Sequence, residues 1–240
     1  MRLTEVQKYR AYGLGEVQQR KLSELGDVLV GADFNVTRIT DPLDIEHFHF
    51  LDSLSLLSLP CFRSARRIVD VGSGAGMPAL VLAIALDAEV VALESQRKKC
   101  DFIERAASSL SLQNLVVHCS RAEDYGRGSG RESFDIAVSR AVAALPTVAE
   151  YSLPLLRVGG CMAAMKGAIS DEELIRGEKA LGILGGDQLE ATKLEPFEDA
   201  ENRWAYTAVK RRVTPGKYPR HAGVPTKKPL GAIDQAARKK

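Results

Sequence analysis

Residues 68–76, Ile68-Val69-Asp70-Val71-Gly72-Ser73-Gly74-Ala75-Gly76, decide the fold of this 240-residue chain. Four residues of strand character run into a loop with three alternate glycines, and an apolar run from Met77 to Leu86 follows at once. Such a loop carries almost no side chain, so its backbone can pass close to a ligand. Its N–H groups and the start of the next helix face the carboxyl end of the sheet, where open α/β folds bind ligands. The dinucleotide fingerprint wants Gly-x-Gly-x-x-Gly, but its sixth position here is Met77, and the spacing is Gly-x-Gly-x-Gly. Eighteen residues after Gly76, the strand Glu89-Val90-Val91-Ala92-Leu93 ends in Glu94, a carboxylate able to accept both hydroxyls of a ribose.

Outward from this stretch the pattern alternates. Strands are predicted at 67–71, 89–94, 115–119, 134–139 and 160–165, with helices near 78–86, 97–110, 146–156 and 171–184 between them. That rhythm implies right-handed crossovers and a mainly parallel sheet. Residues 187–194 and 203–211 follow with no long helix between them and close the sheet as an antiparallel pair. Five parallel strands and a terminal hairpin give an α/β fold of the class I S-adenosylmethionine-dependent methyltransferase (Rossmann-like) kind. Upstream, a helical pattern over 3–31 breaks at Gly13-Leu14-Gly15, with Val17, Leu22, Leu25, Leu29 and Val30 on one face. After a turn at 34–42, a second helix is expected from about Leu43 to Leu57. The glycine-rich stretch 126–131 reads as a flexible loop. The domain reading is an N-terminal helical extension (1–60), a methyltransferase core (61–212) and a basic tail (213–240) with little that could form a core.

Apolar residues make up 45% and charged residues 27% of the chain, the balance of a soluble globular protein. No apolar run is long enough to span a bilayer, and the first residues lack a signal-peptide core, so a cytoplasmic protein without a membrane partner is expected. Cys61, Cys100, Cys119 and Cys161 are spread without a C-x-x-C pair and read as reduced packing thiols; no metal is expected. The net charge of +2 hides an asymmetry: residues 210–240 hold ten Lys or Arg and one acid, so the rest is acidic on balance. A basic tail on an acidic body suits a polyanionic partner or a solvated terminus.

Three further strand ends carry polar residues. Arg121-Ala122-Glu123-Asp124 follows the third strand, where an acid either accepts the exocyclic amine of an adenine or complements a helix dipole. Ser139 and Arg140 end the fourth strand. The Asn/Asp-Pro-Pro-aromatic run of enzymes that methylate exocyclic amines is missing there. A ring nitrogen such as nitrogen 7 of guanine has a free in-plane lone pair and needs no general base, so orientation and desolvation suffice. Lys166, in Met165-Lys166-Gly167, ends the fifth strand and can reach a phosphate or a guanine oxygen. His49 and Asp52 fall three apart on one helical face, which favours a structural or substrate-positioning role over acid–base chemistry. Trp204, Phe197 and Tyr206 read as core.

With these pieces placed, the chain resembles the glucose-inhibited division protein B family, the small-subunit rRNA guanine-7-methyltransferases of bacteria, from about residue 15 to 230. The resemblance rests on Asn35-Val36-Thr37, His49-Phe50-Leu51-Asp52-Ser53-Leu54, Asp70 to Pro78, Ser139-Arg140-Ala141, Met165-Lys166-Gly167 and the tail Arg220 to Leu230. Phe48 departs from the family's usual Arg, and Ala79 from its usual Gly. The resemblance implies S-adenosyl-L-methionine as cofactor and 16S rRNA, free or in an assembling 30S subunit, as partner of a monomer. It places Gly72 and Met77 at the donor's methionine end and Glu94, Ser95 and Gln96 at its ribose and adenine. Ala122 and Glu123 hold the adenine, and Arg140 sits near the reacting centre. Asn35, His49, Lys166 and Arg220 fall on the RNA side, with no residue assigned as catalytic. Two other classes compete, a small-molecule methyltransferase and a non-catalytic RNA-binding protein on the same fold. A dehydrogenase would want glycine in place of Met77.

Overall fold

The computed structural model describes residues 1–32, 37 and 39–232. A seven-stranded sheet has the order β3-β2-β1-β4-β5-β7-β6. Its strands are β1 (Arg67–Val71), β2 (Glu89–Glu94), β3 (Leu115–Cys119), β4 (Phe134–Arg140), β5 (Leu156–Lys166), β6 (Glu190–Lys193) and β7 (Trp204–Val209). The first five pair in parallel; β7 runs antiparallel to both β5 and β6. Three of the five parallel strands match the expected bounds, while β4 runs one residue further and β5 starts earlier, at Leu156.

Both faces of the central strands β1, β2 and β4 are covered, which is why they read as near-continuous apolar runs, whereas the edge strand β6 is exposed. Side chains alternate between faces along a strand. Ile68, Val90, Ala92, Ile136, Val138, Ala163 and Met165 enter one core layer. Val69, Val71, Val91, Leu93, Ala137, Met162 and Ala164 enter the other. The first layer packs under α1 (Val6–Ala11), α2 (Glu16–Val30), α5 (Ala79–Ala85) and α6 (Arg97–Ser109). The second packs under α7 (Ala122–Arg127), α8 (Leu145–Ser152) and α9 (Asp171–Leu184). Ser170 caps α9 by accepting from the Glu173 N–H at 3.2 Å, and three acids in its first turn complement the dipole.

The N-terminal part corrects the sequence reading in two places. Leu22, Leu25 and Leu29 are buried, but Val17 and Val30 are 55% and 52% exposed, so the apolar stripe of α2 is narrower than the pattern suggested. The single helix expected over 43–57 is a series of short turns. It runs through α3 (Pro42–Ile45), a π-helical turn (Glu46–Leu51), α4 (Asp52–Leu54) and a 3-10 turn (Ser55–Ser58). Asp41 caps its start, accepting from the Leu43 N–H at 2.9 Å. A π turn re-aims side chains that a regular helix would place elsewhere, and here it carries His49.

The tail also differs from expectation. Residues 213–232 lie against the core, with Thr214, Tyr218 and Pro225 buried, and α10 (Val224–Lys227) packs on α8. Lys210 is fully buried: its ammonium donates to Glu132 at 2.9 Å and to the carbonyls of Leu153 and Leu156 at 2.9 and 2.7 Å. Burial pulls its pKa down, partly offset by Glu132. Arg131 donates to the Tyr218 and Thr214 carbonyls, which ties down the loop expected to be flexible; Gly126 and Arg127 belong to α7. Fixed partners on the core, unseen in a charge count, order this basic segment.

Candidate active site

Strand order reverses between β1 and β4, and the loops after their carboxyl ends flank a crevice there. Open α/β sheets take their ligands at such a point. The loop after β1 is tied to the end of β2: Gly72 N–H and Ser73 N–H both donate to Leu93 O, at 2.8 and 3.2 Å. Gly72 has φ +75°, and a Cβ there would lie 2.9 Å from Val142 Cγ2, so glycine is required both by the turn and by the close approach of the loop after β4. Asp70, wholly buried under the loop, accepts from the Ala79 N–H at 3.1 Å. Its Oδ1 has no partner among the described residues, and burial raises its pKa to about 7.

A cleft of about 230 Å³ runs along this rim, lined by Gly72, Glu94, Ser95, Ala122, Glu123, Val142, Tyr151 and Thr226. Five of the eight expected cofactor residues therefore meet in one cavity. Gln96 contributes its N–H to Glu94, Met77 is buried in the first core layer, and Arg140 lines the neighbouring cavity. Glu94 is buried, with Oε1 accepting from the N–H groups of Ser95 and Gln96 at 2.8 and 2.9 Å and Oε2 from Gly74 N–H at 2.9 Å. A carboxylate offers about four accepting sites. One remains, enough for one ribose hydroxyl rather than two unless an N–H is given up. Glu123 already accepts from Gly223 N–H at 2.8 Å.

The neighbouring cavity, about 520 Å³, is lined by Phe48, His49, Asp52, Arg140, Ala141, Lys166, Glu173, Arg203 and Trp204, among others. It brings together three predicted substrate residues, His49, Arg140 and Lys166. Arg140 is held by three groups: its Nη1 donates to Phe48 O at 2.7 Å and to Asp52 Oδ2 at 3.2 Å, and its Nη2 reaches His49 Nδ1 at 3.2 Å. His49 Nδ1 also lies 3.2 Å from Phe48 O, which only accepts, and Nε2 lies 2.9 Å from Thr37 Oγ1, so the two contacts of Nδ1 call for opposite tautomers of the ring. Burial and the Arg140 charge hold His49 neutral, lowering its pKa to about 4. Asp52 pairs with Arg203 as well, at 3.4 Å, and its burial outweighs both arginines to raise its pKa. Lys166 donates to Ala143 O at 2.8 Å and pairs with Glu173 at 3.2 Å.

Of the other two predicted substrate residues, Asn35 lies outside the described residues. The guanidinium of Arg220 is committed to the buried Glu150, at 2.8 Å (Nε–Oε1) and 2.5 Å (Nη2–Oε2), and lines neither cavity. Trp204, expected in the core, is half-buried and lines the larger cavity; Phe197 and Tyr206 are buried. Arg203, Glu173 and Tyr151 carry no mark in their local sequence pattern, because each reaches the rim from an element far along the chain, and Thr226 falls within the tail stretch Arg220 to Leu230 with no role assigned to it.

The sequence model of the family described as GidB, rRNA small subunit methyltransferase G, matches residues 18–200. This chain belongs to the rRNA small subunit methyltransferase G family. Among curated relatives of that name, the Rubrobacter xylanophilus protein is 45% identical over 201 residues, covering 82% of this chain and 77% of the relative. The Alkaliphilus oremlandii protein is 38% identical over 239 residues, 96% of this chain and 100% of the relative. Solved structures more distant than the family share the fold. The O-methyltransferase TomG from Streptomyces achromogenes, in complex with S-adenosylmethionine, superposes with a TM-score of 0.53 at 20% identity, over 80% of this chain and 90% of that one. A tRNA methyltransferase, TrmI, from Aquifex aeolicus gives 0.51 at 16% identity, over 80% and 76%.

Proposed function

We propose that this protein methylates nitrogen 7 of a guanine in 16S rRNA, using S-adenosyl-L-methionine bound in the smaller cleft and admitting the base to the larger cavity. The observation that carries the reading is the loop after β4. Arg140 and Ala141 line the larger cavity while Val142 and Ala143 line the cleft, so the two sites meet across a few residues of backbone. Ala141 takes φ +53°, a conformation an alanine adopts only under constraint, and thereby turns the chain from one site into the other.

The residues fit the donor: Gly72 opens the backbone, and buried Glu94 keeps a spare accepting site beside it. When bound, S-adenosyl-L-methionine supplies a sulfonium methyl for direct in-line displacement. The protein's share is positioning and the exclusion of water. Among the described residues, every group in the larger cavity able to act as a base is already engaged. His49 has Nδ1 against Arg140 and Phe48 O and Nε2 against Thr37, Asp52 lies between two guanidinium groups, and Glu173 binds Lys166 and the Leu145 N–H. That arrangement suits a nucleophile needing no deprotonation, such as a guanine ring nitrogen, better than an exocyclic amine or a hydroxyl. Arg140, Arg203 and Lys166 supply donors for guanine oxygen or phosphate, and Trp204 offers a ring for stacking.

The test is incubation with methyl-labelled donor and either 30S subunits, naked 16S rRNA or a small-metabolite mixture, followed by mapping of the labelled base. Label in 7-methylguanine of the rRNA is the expected result. Label confined to metabolites would replace RNA as the substrate, and an absence of label despite donor binding would leave an RNA-binding scaffold.

A further inference from the structure

The stretch from Lys217 to Lys228 lies along α7 and α8, beside the cleft. Tyr218 is buried in the second core layer. Arg220 grips Glu150, a wholly buried carboxylate of α8, through its guanidinium and also through its own N–H at 2.9 Å. Gly223, at φ +79°, points its N–H at Glu123 Oε1, 2.8 Å away. Thr147 Oγ1 donates to Pro225 O at 3.2 Å, and the hydroxyls of Tyr151 and Thr226 meet at 2.9 Å. Tyr151 and Thr226 then line the cleft together with Ala122 and Glu123, the latter held to the same segment through Gly223.

We propose that residues 217–228 are a latch forming the outer wall of the donor cleft, with Tyr151 and Thr226 touching the nucleoside end of the bound donor. The proposal rests on the reading that this cleft takes S-adenosyl-L-methionine. Its physical basis is the set of groups the segment satisfies. Glu150 without Arg220 is an uncompensated buried charge, which favours the closed position strongly. Glu123 spends one accepting site on Gly223 N–H and keeps others for an adenine amine. The Tyr151–Thr226 hydroxyl pair can turn either member toward a ligand, since each hydroxyl both donates and accepts. The segment thus serves the cofactor site, and basic character alone does not define its role.

Donor binding should therefore protect the latch, which limited proteolysis of the full-length protein reads directly. Trypsin can cut after Lys217, Arg220 and Lys227. S-adenosyl-L-methionine or adenosine should slow these cuts at least about fivefold, because only the closed latch is bound, while methionine should leave them unchanged. By titration calorimetry, Tyr151→Phe should weaken the donor about three- to tenfold, the loss of one hydrogen bond, with no change in melting temperature. Arg220→Met should weaken it further and abolish the protection. Unchanged cutting rates together with wild-type donor affinity in Tyr151→Phe would overturn the latch. Glu94→Ala separates the two readings: wild-type donor affinity in that variant would remove the cleft assignment itself, whereas a loss there with no latch effect would remove only the latch.

Discussion

Nη2 of Arg140 lies 3.2 Å from Nδ1 of His49, and this contact couples the two residues. It sets a cation against the ring, which opposes protonation, and Arg140 lines the wall of the larger cavity. The folded state holds the ring neutral, near pKa 4, while the unfolded chain takes up a proton below about 6.5. The contribution is whole above pH 6.5 and shrinks as pH falls toward 4. Compared with His49→Gln, the wild type should lose roughly 2 kcal/mol of relative stability between pH 7.5 and 5. Urea unfolding at the two pH values measures it, and an equal gap at both would show that the ring is not held neutral.

Asp70 has the opposite dependence. Its folded pKa, about 7, exceeds the ordinary value, so its contribution is complete at low pH and lost as pH rises toward 7. Asp70→Asn keeps an acceptor for the Ala79 N–H and cannot ionise. The variant should gain on the wild type by roughly 1–3 kcal/mol from pH 4.5 to 7.5. A flat difference across that range would contradict the ionisation cost inferred here.

Glu94→Ala removes the acceptor of three backbone N–H groups and the spare site beside them. Donor affinity should fall by about 1–3 kcal/mol, the scale of hydrogen bonds to a charged acceptor, with RNA affinity unchanged. Parallel titrations with donor and with RNA decide it, and an equal loss of both in a folded variant would displace Glu94 from the donor site.

Arg140→Ala and Lys166→Ala should lower turnover more than donor affinity, since both side chains line the cavity assigned to the base. Arg140→Ala also leaves the buried Asp52 with Arg203 alone and frees His49, so its melting temperature should drop; Lys166→Ala should melt near the wild type. Single-turnover rates with saturating donor measure the effect, and a wild-type rate in Lys166→Ala would reduce that lysine to the structural partner of Glu173.

Of the tail cations, Lys217, Lys227 and Lys228 are exposed and pair with no carboxylate among the described residues, unlike Lys210 and Arg220. Replacing all three by alanine should flatten the slope of log RNA affinity against log salt by about 2, for three contacts to a single strand. Truncation after Arg212 is a poorer test, because it also exposes Glu150. An unchanged slope in the triple variant would assign RNA contact to the rim of the sheet.

The sequence determined the sheet and its ligand-binding end. Alternating apolar runs, the Gly72–Gly76 spacing and Glu94 are local signals, and local backbone preference with burial of both sheet faces suffices to read them. The hydrogen-bond partners within the site were decided only in three dimensions. The π-helical turn that aims His49, the insertion of Asp52 between Arg140 and Arg203, and the arrival of Trp204 at the cavity depend on contacts between segments remote in sequence. The tail shows the same division. Its charge is a sum over residues and was plain from the sequence, but whether a given cation meets solvent, Glu132 or Glu150 depends on which carboxylate the fold buries beside it.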